Sequence, residues 1–163
     1  CQARFRLLLG RKYVIRTEHL LTLSLNIGST YLLGAVNGGN RRIVSVPDGS
    51  FEGTRLNGIV EPGGVDWVLD KPDGSLNIDV RLVLRTDDSE LIALRYTGIR
   101  HGPPEVLERV ARGEPVDPAD YYFRISPQFE TGSTRYAWLN NIVAVGRGFR
   151  RPAGPTYEIF EVL

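Results

Sequence analysis

The sequence predicts an all-β protein that folds as a closed antiparallel β-barrel of about eight strands with one short helix. Most segments alternate apolar and polar residues with a period of two, and turns rich in Gly, Pro and Asp separate them at fairly even spacing. Only one segment carries helix signals, which argues against a parallel sheet. The 163 residues are enough for one domain with a full core.

The first predicted strand lies in residues 18–27, where Leu21, Leu23 and Leu25 alternate with polar residues. Residues 50–60 are read as one strand bent at its internal glycines, as at a barrel corner. The other predicted strands cover residues 41–46, 65–69, 76–85, 91–97, 121–125, 137–145 and 157–162. Closure of the barrel requires the first and last of these strands to pair, because otherwise an edge stays open.

The one predicted helix covers residues 104–112. Pro104 is tolerated in a first helical turn, Glu105 suits the positive end of the helix dipole, and Gly113 ends the helix. Residues 1–17 are predicted to form an N-terminal arm, so the barrel domain spans residues 18–163.

Composition narrows the function classes. The formal net charge is +1 and the basic residues are scattered, which gives no reason to propose nucleic acid as a partner. No apolar run approaches the roughly 20 residues that cross a bilayer. Cys1 is the only cysteine, so an intrachain disulfide and a thiolate metal site are both impossible. We expect a cytoplasmic protein; an acylated Cys1 in a processed lipoprotein is the less favoured alternative. A homo-oligomer stays open.

Metal and cofactor motifs are missing from the sequence. His19 and His101 are the only histidines, and their spacing matches no metal-ligand pattern. The phosphate-binding loop and the GxSxG nucleophile elbow are also absent. We therefore expect no tightly bound metal and no cofactor.

Several short motifs resemble, in order, the DUF3237 family, also called UPF0311. The resemblance covers residues 18–162 and is carried by residues 41–44, 51–53, 56–58, 63–67, 85–88, 100–106, 120–124, 129–132 and 138–140. It implies a small closed β-barrel with a helix near one end. The family's activity is poorly characterised, so the resemblance leaves the function open.

Four residues are the candidate catalytic groups: Asp66, Tyr122, Arg124 and Glu130. Carboxylates can accept a proton, tyrosine can donate one, and arginine can stabilise an enolate or a ligand carboxylate. The structural alternatives are a turn-capping Asp66 and an Arg124–Glu130 ion pair that holds strand ends together.

Four further residues are the candidate substrate-binding groups: Trp67, Arg81, Trp138 and Asn140. Aromatic walls with a few polar groups are typical of small-molecule sites. Both tryptophans are equally compatible with a place in the core, and Asn140 with a turn. Arg81 shares its face with Asp79, and that face could line the lumen or meet solvent.

The favoured hypothesis is a cofactor-independent enzyme that performs acid/base chemistry, namely isomerisation, cyclisation or elimination, on an aromatic or polyketide-like substrate. The alternatives are a non-catalytic small-molecule binding or carrier barrel and an interaction module. We expect Asp66, Tyr122, Arg124, Trp138 and Asn140 to converge on one cavity, with Arg81 and Glu130 nearby. Arg124 should lie within hydrogen-bond reach of Glu130, Asp66 or a ligand oxygen.

Overall fold

The computed structural model describes residues 14–163, which consist mainly of β-strands. The eleven strands are β1 (Thr17–Asn26), β2 (Thr30–Val36), β3 (Gly39–Val46), β4 (Asp48–Glu52), β5 (Asn57–Val60), β6 (Gly64–Asp70), β7 (Leu76–Thr86), β8 (Leu91–His101), β9 (Tyr122–Glu130), β10 (Ala144–Arg151) and β11 (Gly154–Val162). One α-helix, α1 (Pro104–Ala111), and two short 3-10 helices, Pro118–Asp120 and Ala137–Asn141, complete the described chain.

Eight strands close into an antiparallel barrel, as the sequence predicts. Going round the barrel, β7 is followed by β5, β4, β1, β11, β10, β9 and β8, and β8 returns to β7. The predicted pairing of the first and last strands is confirmed, since Thr17 lies opposite Val162 and Ser24 lies opposite Thr156.

The other three strands extend the sheet beyond the barrel. Strand β6 pairs with the first half of β7, whereas β5 pairs with the end of β7. Strand β3 then pairs with β6, and β2 pairs with β3. All seven residues of β2 are exposed, including Tyr31 and Leu32. Strand β2 was not predicted, because its run of mostly apolar residues lacks the alternation of a half-buried strand.

Two sequence predictions need correction. Residues 50–60 are not one bent strand: β4 and β5 form an antiparallel pair in which Gly49 faces Val60. Residues 137–145 are not a strand throughout, because Ala137–Asn141 is a 3-10 helix and β10 begins only at Ala144. Trp138 and Asn140 therefore do not share a strand face. Of the predicted arm 1–17, residues 1–13 lie outside the described chain.

The strand alternation assigns the two faces of the barrel wall. On β7, the even-numbered residues from Leu76 to Leu84 are buried inside, whereas Asn77, Asp79 and Arg81 point outward. The polar face of this strand is thus the outer one. Inward-pointing Leu, Ile, Val, Phe and Tyr side chains form one continuous core.

Helix α1 packs across one end of the barrel. Val110 is buried, and Val106 and Leu107 pack against the core. Gly113, with φ of 73°, ends the helix as predicted and donates its N–H to the Val110 carbonyl. Within residues 14–163, no helix combines the length and hydropathy that a bilayer crossing would require.

Candidate functional site

The end of the barrel next to α1 contains a cavity of about 210 Å³, here called the lumen cavity. Four charged side chains line it from four strands: Arg42 on β3, Asp66 on β6, Arg100 on β8 and Arg150 on β10. Tyr157 on β11 adds a hydroxyl group. The closed barrel and the sheet extension formed by β6 and β3 therefore bring together residues that are far apart in sequence.

Arg100 and Arg150 reach this cavity because each is the last inward-pointing residue of its strand. On β8, Tyr96 is buried inside and Gly98 and Arg100 continue the same face. On β10, Arg150 follows Gly148 on the inner face. The inner face is thus apolar along most of the barrel and becomes charged only at this end.

Asp66 is a half-buried residue whose carboxyl atom Oδ1 is shielded from solvent. Burial raises its pKa to about 7, and the negative charge of Asp79 adds to the increase. A hydrogen bond from the Asp79 backbone amide and the charge of Arg42 act in the opposite direction. Its Oδ1 atom has no hydrogen-bond partner among residues 14–163. At neutral pH, this group can both hold and release a proton.

Arg42 is the one lumen arginine with an ion pair in the described chain. Its Nε and Nη2 atoms donate to the two carboxylate oxygens of Asp70 at 2.6 and 2.9 Å. This two-pronged hydrogen bond raises the pKa of Arg42. The Arg42–Asp70 pair is electrically neutral as a unit.

Arg100 and Arg150 have no ion pair in the described part of the chain. The Nε atom of Arg100 is buried without a hydrogen-bond partner there. Burial lowers the pKa of both guanidinium groups, and the charge of Arg150 lowers that of Arg100 further. Two positive charges therefore meet in a partly desolvated space, and neither forms an ion pair with a carboxylate of the described chain.

Two tyrosines lie below these charges. The rings of Tyr96 and Tyr157 meet edge to face, with centroids 5.1 Å apart. Burial raises the pKa of both hydroxyl groups well above the ordinary range, so both stay protonated at neutral pH. The Tyr96 hydroxyl has no hydrogen-bond partner among residues 14–163. Of the two, only Tyr157 lines the lumen cavity, where its hydroxyl group can donate a hydrogen bond to a ligand oxygen.

The wall beside Tyr157 depends on a glycine. The ring of Phe123 packs edge to face against Tyr157, with centroids 5.4 Å apart. A Cβ atom at Gly148 would lie only 2.7 Å from Cδ1 of Phe123. Because Gly148 has no side chain, the Phe123 ring has room to pack against Tyr157.

Three residues of the predicted site meet elsewhere. Trp67, Tyr122 and Arg124 line a groove of about 550 Å³ on the outer surface of the barrel, here called the outer groove. Its floor includes Asn77 and Asp79, whose Oδ1 atoms are buried without hydrogen-bond partners in the described residues. Although the outer groove is larger than the lumen cavity, it lies on the outer face of the sheet.

Arg124 does not pair with Glu130 or Asp66. Its guanidinium group lies 4.8 Å from the centroid of the Tyr122 ring, and its Nη1 atom donates to the Phe123 carbonyl at 3.0 Å. The expected ion pair fails because Arg124 points outward, whereas Asp66 points inward. Glu130 is exposed at the end of β9. Arg81 is exposed on the outer face, next to Trp67 and Asp79.

Trp138 and Asn140 lie at the opposite end of the barrel. The guanidinium group of Arg55 covers the Trp138 ring at 3.9 Å. Asn140 accepts a hydrogen bond from the Thr131 backbone N–H at 2.8 Å and donates one to the Thr131 carbonyl at 2.9 Å. Asn140 therefore ties the 3-10 helix to the residue that follows β9.

The predicted convergence of five side chains on one cavity therefore does not occur. Of that set, only Asp66 reaches the lumen cavity. Sequence reasoning missed the lumen arginines 42, 100 and 150 and the tyrosine pair. For Arg100 a signal existed, because the alternation of β8 extends to it from the buried Tyr96. For Arg150 there was none, since no strand was predicted around it.

Comparison with known proteins identifies the family. The family model described as a protein of unknown function, DUF3237, matches residues 15–162. The chain belongs to the DUF3237 family. A UPF0311 protein of Rhodopseudomonas palustris is 34% identical over 149 residues, which are 91% of this chain and 97% of the relative. A UPF0311 protein of Clostridium acetobutylicum is 34% identical over 146 residues, which are 89% of this chain and 92% of that relative.

Solved structures related to this DUF3237 chain share its fold. The crystal structure of the R. palustris protein of unknown function has a TM-score of 0.89 at 33% identity, covering 93% of this chain and 100% of its own. A β-barrel like protein of Acinetobacter baumannii has a TM-score of 0.82 at 38% identity, covering 94% and 99%. A protein of Penicillium herquei, described as an enzyme, has a TM-score of 0.71 at 19% identity, covering 94% and 98%, and shows the fold alone.

The described chain offers no obvious metal centre. Between residues 14 and 163, no three side chains of His, Cys, Asp or Glu are grouped so that they could hold an ion. The chemistry available in the lumen cavity is that of a carboxyl group, guanidinium groups and phenols.

Proposed function

We propose that this DUF3237 protein is a cofactor-independent enzyme that uses Asp66 as a general base on a small molecule in the lumen cavity. The reaction would be an isomerisation, cyclisation or elimination that starts with proton removal from an aromatic or polyketide-like substrate. One observation carries the proposal: Asp66 lines the cavity with its Oδ1 atom shielded from solvent, and this burial raises its pKa to about 7. A base of this pKa is both ionised and effective near neutral pH.

The groups around Asp66 suit the charge that such a step creates. When a proton leaves a carbon next to a carbonyl group, negative charge develops on the carbonyl oxygen. The Tyr157 hydroxyl and the guanidinium groups of Arg100 and Arg150 line the same cavity and can donate hydrogen bonds to that oxygen. Because these donors are already partly desolvated, little reorganisation is needed as the charge forms.

The outer groove supports this chemistry less well. Its arginines, Arg41 and Arg124, each donate to a backbone carbonyl, that of Trp67 and that of Phe123. They lie on an outer sheet face, where water weakens electrostatic stabilisation. The P. herquei protein of the same fold is described as an enzyme, which adds support for catalysis in this type of barrel.

A second candidate function is binding or transport without chemistry. The lumen arginines and the cavity alone would be enough for this function, because unpaired guanidinium groups bind an anion whether or not a base is present. The two candidates differ in the part played by Asp66, and exchange of a carbon-bound proton distinguishes them.

The test uses 3-oxo-3-phenylpropanoate, an aromatic molecule with an acidic methylene group between two carbonyl carbons. In D₂O, the protein should accelerate the exchange of the methylene protons for deuterium above the buffer rate, measured as the methylene NMR signal relative to the ring-proton signals of the same remaining probe, so that decarboxylated probe is not counted. Asp66→Asn should remove most of the acceleration, by about 100-fold or more, because a positioned base contributes that much. Glu130→Gln, which changes an exposed carboxylate at the far end of β9, is the matched control and should exchange the methylene protons as fast as the wild type. Binding of the probe without faster exchange would favour the carrier.

A further inference from the structure

We infer that the substrate of this site is a monoanion, a molecule whose single carboxylate or equivalent oxyanion is held by Arg100 and Arg150 while Asp66 acts on it. This inference rests on the proposed function of Asp66. Two of the positive charges around the lumen cavity, those of Arg100 and Arg150, have no ion-pair partner in the described chain.

The charged lining residues are Arg42, Asp66, Arg100 and Arg150. Helix α1 contributes Val110 and Ala111, and the remaining lining residues are apolar except for Tyr157. The burial-raised pKa of Tyr157 keeps its hydroxyl group neutral.

Arg42 does not add to the net charge of the site, because Asp70 neutralises it through two hydrogen bonds. Arg100 and Arg150 remain, since neither has an ion pair among residues 14–163. A buried guanidinium group is costly unless a counter-charge compensates it. An ionised Asp66 adds one negative charge to the cavity lining, so the lumen cavity as a whole keeps one positive charge for a ligand to balance.

The balance also holds through the chemical step. The substrate C–H bond breaks, its electron pair stays on the substrate as an enolate, and the proton forms an O–H bond with the Asp66 carboxylate. The substrate then carries two negative charges while Asp66 carries none. With a monoanionic substrate, the cavity is neutral before and after the transfer. A neutral substrate would leave one positive charge at both stages, and a dianion would leave one negative charge.

The test compares two probes of nearly the same shape, 3-oxo-3-phenylpropanoate and its neutral amide, 3-oxo-3-phenylpropanamide. Isothermal titration calorimetry at pH 7 should show that the anion binds about ten- to hundredfold more tightly, as expected for charge-assisted hydrogen bonds. Arg100→Gln and Arg150→Gln should each reduce this preference at least severalfold. Arg124→Gln is the matched control and should preserve it, because Arg124 lies in the outer groove.

Circular dichroism and thermal unfolding verify that each variant is folded. If a Gln variant does not fold, Arg100→Lys or Arg150→Lys retains the charge but loses the two-pronged geometry, and should show an intermediate preference. Equal binding of the two probes, absence of binding by both, or a preference that only Arg124→Gln removes would each overturn the inference. A preference that both lumen arginines control, without proton exchange, would support anion binding and refute the proposed catalysis.

Discussion

Asp66 and Asp79 lie on the neighbouring strands β6 and β7 and project to opposite sides of the barrel wall. Asp66 faces the lumen cavity, and Asp79 lines the outer groove. Burial is the main cause of the raised pKa of Asp66, and Asp79 acts on it in two ways. Its backbone amide stabilises the Asp66 carboxylate, whereas its own charge destabilises that carboxylate through the wall.

Removing the charge of Asp79 should therefore lower the pKa of Asp66. Asp79→Asn keeps the backbone amide and removes only the negative charge, so the ionised form of Asp66 becomes easier to reach. The titration of the Asp66 carboxyl carbon, followed by carbon-13 NMR, should move to lower pH. Glu130→Gln should leave that titration in place. A titration at the same or a higher pH in Asp79→Asn would contradict the coupling.

The raised pKa of Asp66 also predicts how stability depends on pH. The folded protein binds the Asp66 proton more tightly than the unfolded chain, where the ordinary value is 3.8. The resulting stabilisation is fully present below pH 4 and is lost as the pH rises to about 7, a change of at most about 4 kcal/mol. Asp66→Asn has no such titration, so its stability relative to the wild type should increase over this range.

Urea unfolding at several pH values between 4 and 8 measures this difference. Because only the change with pH reports the titration, a constant loss or gain of packing in Asp66→Asn does not affect the result. A difference between the two proteins that stays the same from pH 4 to pH 8 would contradict the raised pKa.

Gly148→Ala should destabilise the barrel and disturb the lumen cavity. The added Cβ would contact the Phe123 ring at 2.7 to 2.9 Å, so the ring must move against Tyr157. Overpacking of this kind costs about 1–3 kcal/mol. Gly132→Ala is the matched control, because its Cβ would meet no atom within 4 Å. Urea unfolding should give a lower free energy of unfolding for Gly148→Ala than for Gly132→Ala. Equal values would show that the Phe123 ring moves without a loss of stability.

Asn140→Ala should affect stability and leave ligand binding unchanged. The substitution removes both hydrogen bonds between the Asn140 side chain and the Thr131 backbone. Since Asn140 is exposed, water replaces part of the loss, and we expect a cost of about 1 kcal/mol in the free energy of unfolding. Calorimetric binding of 3-oxo-3-phenylpropanoate should stay as in the wild type. Weaker binding at unchanged stability would contradict this prediction and would indicate that Asn140 takes part in ligand binding.

The architecture could be predicted from the sequence because period-two alternation is a direct consequence of strand geometry. Strand β7 is the clearest case, since its buried residues alternate with Asn77, Asp79 and Arg81 over its whole length. The 3-10 helix Ala137–Asn141 escaped prediction because it is a short turn anchored by a distant partner, the Thr131 backbone. A contact across nine residues without a helix or strand period leaves no recognisable pattern in the sequence.

The candidate site was harder to predict, for a geometric reason. Alternation separates two faces but does not say which face is inside. The expectation placed polar residues such as Tyr122 and Arg124 in the lumen, whereas this barrel keeps most of its lumen apolar. Two of its inner charges, Arg100 and Arg150, lie near strand ends, where each follows inward-pointing residues that look like ordinary core. Only the closed barrel shows that these strand ends meet.

The two ends of the barrel differ in what they contribute to the protein. Leu84, Phe129 and Leu139 fill the end opposite α1, whereas arginines and Asp66 surround the lumen cavity. Substitutions at the cavity end can therefore change charge and shape while the filled end continues to secure the fold. Over evolutionary time, the side chains around the lumen cavity could change in charge and shape without loss of the fold. Similarity of fold among the members of the family would then say little about the chemistry of this cavity in each of them.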